Sequence, residues 1–244
     1  EHFNIKMIPV SFNGQDPDLD QIERLVQQDP SIKGIWCVPK YSNPTGKTYS
    51  DTAVKRFSML PKISGDNFRI MWDNAYAVHH LSDAPDQLAN LMALARHHDT
   101  NDSMVLFGST SKVTFAGAGI SCLGTSREKL GEFEQHLSET MIGFDKVNQL
   151  RHVLFLKDMS GIARHMARHA ALLKPRFALT EKILSKYLDG KRIGEWSRPN
   201  GGYFVSFDAI PGQAKEIITL AANVGVRLTP AGATFPYGID PEDR

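Results

Sequence analysis

Apolar residues recur along this chain in two alternating rhythms. Leu19, Ile22, Leu25 and Val26 repeat at helical spacing behind an Asp18–Gln21 pair that matches a capping box, and Asp29-Pro30 stops the run. Gly34-Ile35-Trp36-Cys37-Val38-Pro39 is short and continuously apolar, as expected of a strand covered on both faces. The same alternation then repeats. Ser50 is placed to cap a helix running to Leu60, Phe68-Arg69-Ile70-Met71-Trp72 reads as a strand, 88–98 as a helix and 103–107 as a strand. An apolar stretch over 3–10 predicts one more strand at the start. Alternating strands and helices predict an α/β fold with a mostly parallel sheet and helices on both faces. Ligands of such sheets sit beyond the carboxyl ends of the strands.

From residue 126 the rhythm changes. Helices are predicted over 126–141, 145–157 and 160–188, the last one kinked or divided by Pro175. Beyond Gly190 the pattern is α+β, with a domain boundary near residue 190. Tyr203, Val205 and Phe207 alternate against Phe204 and Ser206 in a predicted strand over 201–207; a helix over 212–224 and a short strand over 226–229 follow. Both ends of the chain read as cut, so a longer protein is expected.

Composition narrows the function classes. The chain has 244 residues, with 41% hydrophobic and 23% charged side chains and a formal net charge of +1. That balance points to a soluble globular protein and gives no reason to expect a nucleic-acid or membrane partner. No apolar run approaches the roughly 18 residues a membrane span needs, and the first residues do not resemble a signal peptide. Cys37 and Cys122 both read as buried free thiols in a reducing, cytoplasmic setting.

The chemistry gathers at the predicted strand ends. Met104-Val105-Leu106-Phe107-Gly108-Ser109-Thr110-Ser111-Lys112 carries an apolar strand through small hydroxyl residues to a lysine, and Phe115-Ala116-Gly117-Ala118-Gly119 follows as a flexible tail. A free lysine is almost wholly protonated at neutral pH, with a pKa of about 10.4. It becomes a useful nucleophile when desolvated or held as an imine. Pyridoxal phosphate exploits such a lysine, and needs a carboxylate at its ring nitrogen, donors at its phenolate oxygen, and hydroxyls and amides at its phosphate. Asp73 can meet the ring nitrogen, Tyr76 and Asn43 the phenolate, and Ser109 the phosphate.

Ser42-Asn43-Pro44-Thr45-Gly46, then Asp73-Asn74-Ala75-Tyr76, then Ser109-Thr110-Ser111-Lys112 resembles the ordered motif set of the fold-type-I pyridoxal-phosphate aminotransferases, most of all the bacterial aspartate aminotransferase branch of class I. Asn43 and Asp73 lie 30 residues apart, Asp73 and Lys112 39 apart, similar to the family. Pro199-Asn200-Gly201-Gly202-Tyr203-Phe204 and Val226-Arg227-Leu228-Thr229-Pro230-Ala231-Gly232 resemble the strand openings of the family's small domain. The resemblance implies a three-layer large cofactor domain over 1–159, a connecting helical tract over 160–190 and part of a small α+β domain over 191–244. It implies transamination between an amino acid, with aspartate the first choice, and a 2-oxo acid such as 2-oxoglutarate, in a homodimer. Lys112 would form the Schiff base and shuttle the proton, Asp73 would hold the pyridinium, Asn43 and Tyr76 the phenolate, and Ser109 the phosphate. The family also makes a cis bond at Asn43-Pro44 an expectation.

The chain departs from the family at one point inside these motifs. Most members carry a phosphate-binding arginine seven or eight residues after the lysine, where this chain has Gly119 and Ile120. The family's phosphate loop and ring-stacking aromatic would lie upstream of residue 1. Its substrate-carboxylate arginine would follow the small-domain loop, close to Arg244. Two other readings share the motifs: a pyridoxal-phosphate lyase on the same scaffold, and the aminotransferase-like ligand domain of a transcription regulator.

Other patterns carry no chemistry. The Ser-x-x-Lys at Ser109–Lys112 lacks the partner motifs of serine hydrolases, and Gly46-Lys47-Thr48 lacks the earlier glycine of a P-loop. His165 and His169 read as a solvated helix face, with no metal, and His79-His80 and His97-His98 as helix-end or surface residues. Asp16, Asp18 and Asp20 read as caps.

Overall fold

A four-stranded sheet positions every candidate residue. The computed structural model describes residues 4–244. A small hairpin of β1 (Phe12–Asn13) and β2 (Asp16–Pro17) leads into α1 (Leu19–Gln28). Then come β3 (Gly34–Cys37), α2 (Asp51–Met59), β4 (Arg69–Asp73), α3 (Leu91–His97), β5 (Met104–Ser109) and β6 (Ser121–Gly124). Helices α4 (Arg127–Thr140), α5 (Lys146–Leu156) and α6 (Met159–Leu188) follow, then β7 (Gly194–Trp196), β8 (Phe207–Ala209), α7 (Ala214–Asn223) and a short 3-10 turn at Pro236–Gly238. The sheet runs β3-β4-β5-β6, parallel across its first two ladders and antiparallel at the last. This is an α/β fold with a mostly parallel sheet.

The helices start where their caps are. Asp18 accepts the Gln21 amide at 2.9 Å, and the Gln21 side chain accepts the Ser11 amide at 3.2 Å instead of closing the box on Asp18. Ser50 caps α2 through the Ala53 amide, while its own amide and hydroxyl donate to Asp16 at 2.8 and 2.6 Å. One serine thus starts α2 and ties it to the β1–β2 hairpin. Asn90, Ser126, Asp145 and Asp158 cap α3, α4, α5 and α6 in the same way.

Register places Ile35, Cys37, Ile70, Trp72, Met104 and Leu106 on one face of the sheet. Leu19, Ile22 and Val26 of α1, Val54 and Phe57 of α2, and Leu91 and Ala95 of α3 close over them. The Phe57 and Trp72 rings meet edge to face at 5.8 Å, and Tyr49 stacks on Phe57 at 5.7 Å. Each such buried aromatic contributes about 2–3 kcal/mol of transfer free energy. On the opposite face Trp36 is 54% exposed and lies parallel to Phe107 at 5.5 Å.

Several expectations need correction. Residues 4–10 join no ladder and lie largely exposed, and Phe3 lies outside the described residues. β6 was not foreseen: its four residues, Ser-Cys-Leu-Gly, show neither apolar continuity nor alternation. As an edge strand with one neighbour it leaves Cys122 exposed, whereas Cys37 is buried as expected and burial pushes its thiol up. Pro175 does not divide α6, which runs unbroken for 30 residues; one missing amide is tolerated within eight turns of helix. In the predicted strand over 201–207 only Phe207 joins a ladder, with Trp196. Gly202 turns the chain at a φ of 80°, so Gly201 makes a single bridge to His80. Residues 226–229 also lack a ladder. Among the described residues no helix is long and apolar enough to cross a membrane.

Candidate active site

The three parallel strands deliver their loops to one end of the sheet. Beyond β3, Ser42 closes a turn, donating to the Lys47 carbonyl at 2.9 Å and accepting the Gly46 amide, and within it the Asn43-Pro44 bond is cis. Asn43 itself is exposed. β4 ends at Asp73, in register with Phe107 of β5. The Asn74 amide donates to the Phe107 carbonyl at 2.9 Å, and Asp73 accepts the Ala75 amide at 2.9 Å, so the chain turns sharply off the strand. Three residues on, the Tyr76 ring is buried, edge-on to His79, Tyr203 and Phe204 at 5.8, 6.2 and 5.9 Å.

β5 ends at Ser109, and the next residues wind into a tight turn. The Val113 and Thr114 amides both donate to the Thr110 carbonyl, at 2.9 and 2.8 Å. Thr110 also donates its amide to the Ile120 carbonyl and accepts the Ile120 amide on its hydroxyl, both at 2.8 Å. The Ser109 hydroxyl donates to Ser111 Oγ at 2.9 Å and accepts the Ser111 amide at 3.1 Å. Gly119 lies against this turn so closely that a Cβ on it would stand 2.7 Å from the Ser111 nitrogen and hydroxyl. The tail after the lysine is therefore pinned to the turn at Ile120 and Gly119.

This geometry puts Lys112 Nζ 4.5 Å from the centre of the Tyr76 ring. Among the described residues Lys112 forms no ion pair. Lys112 and Tyr76 are thus in contact, and Asp73 and Ser109 occupy the ends of adjacent strands. Asn43 shares that end of the sheet through its loop; among the described residues no hydrogen bond joins it to the other four.

Four further residues crowd the lysine segment. His79 Nε2 and the Tyr203 hydroxyl each lie 3.0 Å from the Lys112 carbonyl oxygen. His165 Nε2 is 2.8 Å from the Val113 carbonyl, and His152 Nε2 is 3.0 Å from the Thr114 hydroxyl. The surface reading of His79 is thus corrected: it is 3% exposed, and burial lowers its pKa below the usual histidine value. His165, read as solvated, is half-buried against the lysine segment. No spacing in the sequence announces these contacts, because each comes from a different element. Burial pushes the Tyr203 hydroxyl up from its ordinary value, with the neighbouring Tyr76 adding to the effect.

The sequence pattern that describes the aspartate amino-transferases matches residues 1–244 without a break. The chain belongs to the aspartate aminotransferase family. Within that family it is 48% identical over its whole length to a Mycolicibacterium smegmatis protein assigned as an aminotransferase, covering 57% of that protein. It is 40% identical to an aspartate aminotransferase of Corynebacterium glutamicum, covering 56%. A crystal structure of an aspartate transaminase from Corynebacterium glutamicum superposes over 99% of the chain with a TM-score of 0.94 at 40% identity, and the chain covers 57% of it. The chain thus spans a little over half the length of the relatives it matches. As a member of the aspartate aminotransferase family, it places glycine where the resemblance led us to expect arginine, and the Ser111 backbone occupies the space a side chain at 119 would need.

Proposed function

We propose that the full-length protein is a pyridoxal-phosphate-dependent aminotransferase that exchanges an amino group between aspartate and a 2-oxo acid such as 2-oxoglutarate. The observation that carries this reading is the placement of Lys112, free of any carboxylate among the described residues, on the Tyr76 ring beyond the strand that neighbours Asp73. The donor set fits the cofactor: one amine, one carboxylate at an adjacent strand end, a phenol, and paired serine hydroxyls at the mouth of a tight turn. The names of the relatives at 48% and 40% identity support an enzyme over a regulator domain, and that of the Corynebacterium glutamicum protein supports aspartate.

In this reading Lys112 Nζ would hold the cofactor and would carry a proton to and from the substrate α-carbon. Asp73 would keep the cofactor's ring nitrogen protonated, Asn43 and Tyr76 would donate to its phenolate oxygen, and Ser109 to its phosphate. The bound cofactor supplies an electron sink for the pair left on the α-carbon when its proton departs. The Tyr76 ring covers one side of the Lys112 amine and limits its swing. With no arginine at 119 or 120, the phosphate draws on the Ser109–Ser111 turn and on residues outside this chain.

Residues 1–159, 160–190 and 191–244 form the large domain, the connecting tract and part of the small domain, and the protein works as a cytoplasmic homodimer. Val147, Leu150, Val153 and Leu154 stand more than half exposed along α5, which supports a covering partner. The test is a coupled assay of the full-length protein with aspartate and 2-oxoglutarate. Oxaloacetate should appear with the wild type and not with Lys112→Ala; unchanged turnover in that variant overturns the reading.

A further inference from the structure

The Lys112 carbonyl oxygen is unusual in its partners. It receives two side-chain donors, His79 Nε2 and the Tyr203 hydroxyl, each at 3.0 Å, from segments far apart in sequence. Those segments are themselves joined: the Gly202 amide donates to the His79 carbonyl at 2.8 Å, and Gly201 bridges His80. Gly201 allows this approach, since a Cβ there would stand 2.4 Å from the Tyr41 ring and 2.5 Å from the His79 carbonyl. The two rings lie 5.0 Å apart, edge to face. One of the donors precedes the lysine in the chain, and the other comes from beyond α6.

We propose that His79 and Tyr203 are positioning residues, which together fix the Lys112 backbone so that its amine meets the cofactor and the substrate α-carbon in one orientation. This deepens the proposed function and rests on Lys112 being the reactive lysine. A lysine side chain has four rotatable carbons, so its reach is defined only when its Cα is held. Both acceptor positions of the Lys112 carbonyl are filled, and the following two residues are held by His165 and His152. Preorganisation of this kind matters because a misplacement of about 1 Å can cost about 100-fold in rate.

Plain packing explains His79 poorly. Its Nδ1 is buried and makes no hydrogen bond of good geometry, with only the Tyr76 backbone acting on it, a burial that disfavours folding. A phenylalanine of similar shape would fill the space among Tyr76 and Tyr203 without that orphan nitrogen. The imidazole is therefore kept for the bond its Nε2 makes to Lys112.

The test uses full-length holoenzyme carrying His79→Phe, Tyr203→Phe or His79→Gln. Each phenylalanine variant should lower kcat about tenfold with KM within about twofold, the scale of one lost hydrogen bond. His79→Gln returns an amide donor near the Nε2 position and should recover most of the loss. In cofactor-free protein, backbone amide exchange over residues 110–116 should rise about tenfold in both phenylalanine variants, while global stability holds or increases. Tyr203→Phe removes only an oxygen from a half-buried ring, so it tests the idea even if His79→Phe fails to fold. The inference is overturned if both phenylalanine variants keep wild-type kcat and exchange while borohydride still fixes a pyridoxyl group on wild-type Lys112. The parent reading fails separately, if wild-type Lys112 takes no such group.

Discussion

Replacing Gly119 by alanine places a methyl carbon 2.7 Å from the Ser111 nitrogen and hydroxyl and 2.9 Å from its Cα, where ordinary contact begins near 3.4 Å. Three overlaps of 0.5–0.7 Å cannot be relieved by rotating a flexible side chain, because two of the three atoms are backbone. The turn must move, and it is held by the Thr110–Ile120 pair of hydrogen bonds on one side and by Ser109 on the other. Overpacking of this kind costs about 1–3 kcal/mol. Taking about 2 kcal/mol, amides in residues 110–120 should exchange about 30-fold faster than in the wild type. Hydrogen exchange read by mass spectrometry on the full-length protein measures this directly. Gly131→Ala is the matched control: it lies within α4 with open space around it, and should stabilise that helix by about 0.5–1 kcal/mol. Wild-type exchange over 110–120 in Gly119→Ala would refute the claim that the glycine is there for close approach.

Ser50→Ala removes both the α2 cap and the hydroxyl bond to Asp16, and should cost about 1–2 kcal/mol in urea denaturation, against less for Ser64→Ala, which removes one long bond of 3.3 Å to the Pro61 carbonyl. The pH dependence of stability should carry a share from His79. Its pKa is lowered in the folded state by burial, so the unfolded chain takes up the proton first, and stability present above about pH 6.5 is lost as the pH falls. Between about pH 7.5 and about pH 5.5 the wild type should therefore lose more stability than His79→Phe, and equal losses would show that His79 is not depressed. On the proposed roles, Asp73→Ala should lower turnover far more than Asn43→Ala, since it would remove the charge proposed to keep the cofactor's ring nitrogen protonated; equal effects in steady-state kinetics would contradict these roles.

The sheet was legible because its strands are apolar runs ending in polar motifs, and its helices because Asp18, Ser50 and Ser126 announce them. Lys112, Asp73, Tyr76, Asn43 and Ser109 stood out as a set for the same reason: Asp73 and Ser109 end their strands, the other three follow a strand end by a few residues, and strand ends of a parallel sheet converge. What pairing decides was not legible. β6 pairs with the edge of β5, whereas residues 4–10 and 226–229, apolar as they are, pair with no strand among the described residues. His79 looked like a surface histidine because its acceptor, the Lys112 carbonyl, is 33 residues away in sequence. Tyr203 looked like an alternating strand residue because nothing local shows that Gly202 turns the backbone and aims the ring at the lysine. Gly119 looked like flexibility, and a contact with Ser111 gives it a different meaning.

The central claim is that Lys112 is the lysine that takes the cofactor. The full-length protein should be incubated with pyridoxal phosphate, reduced with borohydride, digested and mapped by mass spectrometry. The account predicts one pyridoxyl group per chain, on the peptide containing Lys112, and none in Lys112→Ala. A pyridoxyl group that persists in that variant on any other lysine would contradict it.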